Sequence, residues 1–156
     1  MKKESLEQTV VLIKTSEALR RLAWIRTQLA KSGRIIQSRM VIPTTETVQV
    51  LYPHLHPVLI EATQQHLVGK SVQVFVLAGE HVIEQVSQLV GIEVNPELCR
   101  ADSIRWHMWH EFGCRTKYVG DGYTYYNNFL HCSRSPDEAY KQIAALTNAG
   151  LVSFPL

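Results

Sequence analysis

The stretch NNFLHCSRSPDEAYKQI, residues 127–143, joins an apolar strand end to a strong helix start. Ser135-Pro136-Asp137-Glu138 has the pattern of a capping box. A serine caps the first turn, a proline occupies the first helical position where its missing N–H costs nothing, and a glutamate follows three residues after the serine. The residues before it, Tyr123 to Leu130, read as a strand, and His131 stands at the junction. A lone histidine is most often a buried, hydrogen-bonded one. Its surroundings here argue for chemistry.

The rest of the chain supplies the elements that such a strand and helix need. Thr9 to Ile13 is a compact β-branched run bounded by polar residues and reads as a buried strand. From Glu17 to Ser32 the apolar Ala18, Leu22, Ile25 and Leu29 recur at helical spacing, with Gly33 placed to cap the helix in a left-handed conformation. Ile35 to Ile42 is a second strand, with Ile36, Met40 and Ile42 on one face and Arg39 on the other. Two short helices, Thr45 to Leu51 and Leu59 to Leu67, are separated by Pro53 and Pro57. Val72 to Leu77 is a third strand. Val82, Val86 and Leu89 mark a helix ending at Gly91, Asn95 to Ser103 reads as a loop, and the last helix runs to about Leu146.

This order predicts an α+β fold, a ferredoxin-like βαββαβ core with a four-stranded antiparallel sheet and added helices. No repeat or linker divides the sequence, so residues 1–156 are expected to form one domain. At 156 residues the chain is long enough to bury a core without disulfide or metal. Hydrophobic residues make up 46% and charged residues 19%, and no apolar run is long enough to cross a bilayer, so no membrane association is expected. The N-terminal Val10 to Ile13 run is too short for a signal-peptide core, and Cys99, Cys114 and Cys132 have no framework spacing. Both features point to a cytoplasmic protein with free thiols. A net charge of +2 is too small for stable nucleic-acid binding, whereas Arg100, Arg105, Arg115, Lys117 and Arg134 gather in the last third and suit a small anion.

NNFLHCSRS resembles the N-x-x-H-G-S-D-S signature of nucleoside diphosphate kinases. VVLIK at 10–14 is similar to that family's first strand and lysine, VNP at 94–96 to its loop motif, and SIR at 103–105 to its T-I-R. The resemblance runs from about Gln8 to Leu151 and implies the same ferredoxin-like fold. It implies that His131 takes the γ-phosphoryl group from a nucleoside triphosphate and passes it to a nucleoside diphosphate in a ping-pong reaction. A helix N-terminus beyond His131 would aim backbone N–H groups at the phosphoryl site, and Ser133 would donate a hydrogen bond there. Gln142 stands where the family has a glutamate that orients the histidine. Arg105 and Tyr52 match phosphate contacts, and Lys14 and Asn128 match the pair that holds the sugar hydroxyls. Mg²⁺ is implied as a bridge between phosphates, with no metal held by the protein alone. The family's dimer-based tetramers and hexamers imply a homo-oligomer.

The sequence also departs from the family. Thr15-Ser16-Glu17 replaces P-D-G after the lysine, and Cys132 replaces the signature glycine. A second phosphate-binding arginine falls at Ser87, a loss of one charge-assisted contact worth about 1.5–3 kcal/mol. The base-stacking aromatic falls at Val58 or Leu59, and Arg134 replaces the signature aspartate, where it either supplies phosphate charge or faces solvent. The interval between Arg105 and His131 is much longer than in the family's short members and is rich in Trp and Tyr. It offers area for packing on a neighbouring subunit or over the nucleotide. Its His107, His110 and Cys114 are three candidate ligands where structural zinc takes four. Two other readings stand beside the kinase: a catalytically decayed nucleotide-binding or scaffold protein of the same fold, and a kinase for an unusual phosphate acceptor.

Overall fold

A computed structural model describes residues 6–152. The basic start of the chain and the final residues of its tail lie outside the described residues. The elements are β1 (Glu7–Ile13), α1 (Ser16–Arg20), α2 (Leu22–Leu29), β2 (Arg34–Val41), α3 (Thr45–Leu51), α4 (Pro57–Leu67), β3 (Val72–Gly79) and α5 (Val82–Val90). A 3₁₀ turn (Pro96–Leu98), α6 (Ile104–Phe112), β4 (Thr116–Gly120), β5 (Tyr123–Tyr126), β6 (Leu130–Cys132) and α7 (Pro136–Asn148) follow. One antiparallel sheet runs β2-β3-β1-β6, and β4 and β5 form a separate hairpin. This is the α+β, ferredoxin-like architecture that the order of elements predicts.

The central strands β1 and β3 are buried on both faces, which is why Val10 to Ile13 is a continuous apolar run instead of an alternating one. Val11 and Ile13 pack with Ile25, Leu29, Phe75, Val82, Val86 and Ile104 on one side. Val10 and Leu12 pack with Val48, Leu51, Leu67, Val74 and Ile143 on the other. Each fully buried aliphatic side chain of this kind contributes about 1.5–3 kcal/mol.

Four expectations need correction. The helix read from Glu17 to Ser32 is two helices, broken at Arg21, whose backbone (φ −106, ψ 18) leaves the helical region. Gly33 is no left-handed cap: its role is close approach, since a Cβ there would meet Val82 Cγ2 at 2.6 Å and the Ala78 carbonyl oxygen at 3.0 Å. On β2 the register shifts between Ile35 and Gln37, so the faces exchange past that point. Val41 turns inward, while Met40 and Ile42 are 49% and 57% exposed. Finally, the fourth strand of the sheet is Leu130–Cys132, and Tyr123–Tyr126 belongs to the hairpin.

The interval between Ser103 and Asn127 therefore holds a helix and a hairpin. Ser103 caps α6 by accepting from Trp106 N. Asp121 (φ 54) and Gly122 (φ 80) occupy a two-residue loop with Gly120 opposite Tyr123. Positive φ at both loop positions is the turn that matches strand twist in a hairpin, and Asp-Gly is one of its preferred pairs.

Candidate active site

β6 is short, and its register decides what it presents. Leu12 pairs with His131 and Val11 with Cys132. Residues directly opposite in an antiparallel pair share a face, so His131 points to the side of Leu12, toward α3 and α7, and Cys132 to the opposite core. A slip of one residue would exchange them.

Ahead of β6 the backbone makes a tight turn. Leu130 N donates to Asn128 O at 2.8 Å across Phe129, whose φ is 71. This is a γ-turn of the rare positive-φ kind, with a strain cost of about 1–3 kcal/mol for a residue with a side chain. Two features hold it. Phe129 is 2% exposed in the core, and Arg105 braces the turn from α6. Arg105 Nε donates to Asn128 O (3.2 Å), Nη2 to Leu130 O (2.6 Å), and Nη1 to Gly91 O (2.7 Å) and Glu93 O (3.2 Å). A guanidinium has five N–H groups, so these carbonyls occupy most of its donor capacity. Arg105, read from sequence as a phosphate contact, is thus first a brace of the backbone that carries Asn128 and His131.

Gln142 sets the state of the histidine. Its Nε2 donates to Leu51 O (3.2 Å) and to Glu138 Oε1 (3.0 Å), and its Oε1 accepts from Ser133 Oγ (2.7 Å). Two acceptors beside one amide atom and a hydroxyl beside the other fix the amide orientation. Its Oε1 is therefore an acceptor facing His131 Nε2 at 3.2 Å, which places the imidazole proton on Nε2 and leaves the lone pair on Nδ1. Burial, and then the Lys14 charge, push the His131 pKa down to about 3, so the ring is neutral at physiological pH. Tyr52 packs edge-on against it with centroids 4.7 Å apart. Ser133 is fully buried, and its hydroxyl proton goes to Gln142. Its part here is to orient Gln142, not to donate into the cleft.

Lys14, at the end of β1, points to the same place. Its Nζ lies 2.6 Å from Asn128 Oδ1 and 3.4 Å from Tyr52 Oη. Desolvation, and then the nearby Arg105 charge, lower its pKa to about 7. Burial likewise raises that of Tyr52. The turn that follows Lys14 is built by Thr15, whose Oγ1 accepts from Ala18 N and caps α1 in place of P-D-G. Ser87 is buried and donates to Ser133 O at 3.2 Å, tying α5 to the segment after β6.

Lys14, Tyr52, Leu59, Arg105, Asn128, His131, Arg134 and Gln142 line one cavity of about 800 Å³. Val58 does not: its backbone N–H donates to the His56 cap of α4, and its side chain is off the wall. Arg134 is exposed and donates to Gly91 O at 3.2 Å. The reading from sequence missed the wall formed by Thr124, Tyr125 and Tyr126. Asp121-Gly122 was the signal available for it. His107 and His110 pack against Trp24 and Trp106, and among the described residues no group of three or more His, Cys, Asp or Glu is gathered to hold a metal.

A ferredoxin-like sheet that presents a neutral imidazole, a lysine and two arginines to one cleft defines an α+β domain with a cation-bearing pocket. The sequence model of the family described as Nucleoside diphosphate kinase matches residues 7–150, and the chain belongs to that family. No curated protein sequence matches it. Among solved structures it is similar to nucleoside diphosphate kinase from Encephalitozoon cuniculi, at 24% identity and TM-score 0.72 over 96% of this chain and 94% of that one. It is also similar to the Borrelia burgdorferi enzyme, solved as a transition state mimic with bound vanadate and ADP, at 17% identity and TM-score 0.71 over 97% and 93%. A Pyrobaculum aerophilum NDP kinase follows at 20% and 0.69 over 90% and 95%. At these identities the likeness is one of fold.

Proposed function

We propose that this protein is a nucleoside diphosphate kinase that works through phosphohistidine at His131. The observation that carries the reading is the Gln142 network, which supplies a neutral imidazole with a defined tautomer on the wall of the cleft. Nδ1 attacks the γ-phosphorus in line. An N–P bond forms as the bond from phosphorus to the β,γ-bridging oxygen breaks, and the electron pair leaves with the nucleoside diphosphate. In the second half a terminal oxygen of the acceptor diphosphate attacks, and the N–P electrons return to Nδ1.

In this reading Lys14 and Asn128 hold the sugar hydroxyls, and Tyr52 keeps the ring in place. Arg134 and the remaining N–H of Arg105 meet phosphate oxygens, while Leu59 faces the base. Gln142 accepts from Nε2–H throughout, and as a neutral amide it stabilises developing ring charge less than a carboxylate would. Mg²⁺ carried by the nucleotide would supply neutralisation of the phosphate charge, with Arg134 and Arg105 the chain's own cationic contribution there. Among the described residues no helix is long and apolar enough to cross a membrane. A cytoplasmic homo-oligomer assembled from dimers completes the proposal.

A second reading, a nucleotide-binding protein without turnover, draws on the four carbonyl bonds of Arg105 and on the serine at position 87, which together leave the phosphate site short of cations. Incubation with γ-labelled ATP and Mg²⁺ separates the two. The kinase predicts acid-labile label on wild type, none on His131→Ala, and discharge by common nucleoside diphosphates. Label that none of them discharges points to an unusual acceptor. ATP binding without label leaves the binding protein.

A further inference from the structure

We propose that the β4–β5 hairpin is the base wall of the cleft and that the nucleobase stacks on Tyr126. The proposal rests on the nucleotide reading above. It adds a specificity-determining residue that the helical side of the cleft lacks, since Val58 is off the wall and Leu59 is aliphatic.

Three tyrosines line the cavity, and two are already engaged. Tyr52 packs against His131 and lies 3.4 Å from Lys14 Nζ. Tyr125 Oη is 2.6 Å from His66 Nδ1, and its ring meets that imidazole edge-on. Among the described residues Tyr126 has no ring contact and no side-chain hydrogen bond, although it is half-buried on the cavity wall. An aromatic face held at a cavity wall without a ring partner is what a planar heterocycle stacks on.

The hairpin is anchored, so this face is held in place before the ligand arrives. Tyr123 stacks on His56 with centroids 4.5 Å apart and planes 22° from parallel, and Tyr125 is tied to His66. These histidines stand at the two ends of α4. Tyr123 and Tyr125 share one face of β5, so strand alternation turns Tyr126 to the opposite one. A wall fixed at two points loses little entropy on binding.

The order of groups along the cleft also fits. Tyr126 is two residues from Asn128, which contacts the Lys14 ammonium, and His131 lies beyond on the next strand. Triphosphate at His131 and sugar at Lys14 and Asn128 put the base beside Tyr126. Every base offers a π-face, so such stacking favours nucleotides over base-free phosphates without choosing strongly among bases.

The test is calorimetric binding of Mg·ADP, Mg·CDP and Mg·pyrophosphate to wild type, Tyr126→Phe and Tyr126→Ala, with circular dichroism to confirm the fold. Tyr126→Ala is expected to weaken both nucleoside diphosphates by about tenfold or more and to leave pyrophosphate within about twofold, with Tyr126→Phe near wild type. Unchanged nucleotide affinity in a folded Tyr126→Ala, or equal weakening of pyrophosphate, overturns the base wall alone. Wild type that binds ADP no better than pyrophosphate overturns the nucleotide reading itself.

Discussion

At the His131 end of the cleft, Gln142, Ser133 and Arg105 are buried and bonded to several elements at once, while at the hairpin end Tyr123 and Tyr125 are each held by one histidine of α4. The first arrangement costs strain at Phe129 and burial of a guanidinium, and it yields one tautomer and one backbone path. The second costs little and presents aromatic surface. Under the proposed function the contrast has a reason: bond making and breaking demands placement of single atoms, whereas stacking tolerates small displacement.

The largest break of that contrast is Arg105→Met. It removes four hydrogen bonds to backbone carbonyls, of which Asn128 O and Gly91 O keep another N–H donor, and the brace of the γ-turn, and is expected to cost about 3–5 kcal/mol in urea unfolding. If the loss is under about 1 kcal/mol, the turn is held by Phe129 packing alone.

Gln142→Glu is the next test. It restores the family's carboxylate, yet here it leaves Leu51 O without its amide donor and sets a charge against Glu138. We expect a loss of about 2 kcal/mol at pH 7, together with a His131 pKa raised from about 3, read by imidazole NMR titration. An unchanged titration would show that Gln142 does not contact the ring.

The smallest effect compares the two ends by pH. His131 titrates near 3 and His66 near 4 in the folded chain, both below the ordinary 6.5. The unfolded chain therefore takes up these protons first, and stability is expected to fall as pH drops from about 6.5 through both folded values. Above that window neither contributes. His131→Asn should flatten the slope of unfolding free energy against pH by up to about 1.4 kcal/mol per unit, and His66→Asn by a similar slope over a narrower range, since its window closes at higher pH. Equal slopes in all three proteins would mean that neither imidazole is desolvated.

Several features were legible because local rules govern them. The Ser135 cap and Pro136 start α7 as the sequence pattern indicates, with Ser135 Oγ accepting from Glu138 N. The glutamate's reciprocal arm is used otherwise, as Glu138 Oε1 accepts from Gln142. Tyr52, Arg105, Asn128 and His131 were singled out from motif spacing, and one cavity joins them to Lys14. The faces of β2 past Gln37 were misread because a bulge depends on the partner strand, and Ile35–Ile42 alone carries no mark of it. The hairpin was read into a sheet strand because Tyr123–Leu130 has strand character throughout; which residues pair with β1 is decided by the turn at Phe129, stabilised from α6.

By itself, then, the sequence determined the order of the main strands and helices and the burial of β1, and it singled out His131 as a candidate, because periodicity, caps and short motifs act over a few residues. Only the tertiary structure decided that Arg105 braces backbone, that Ser133 serves Gln142 and that tyrosines of a hairpin wall the cleft. Those roles depend on which donor meets which acceptor across distant segments, and that pairing exists only once the layers have packed.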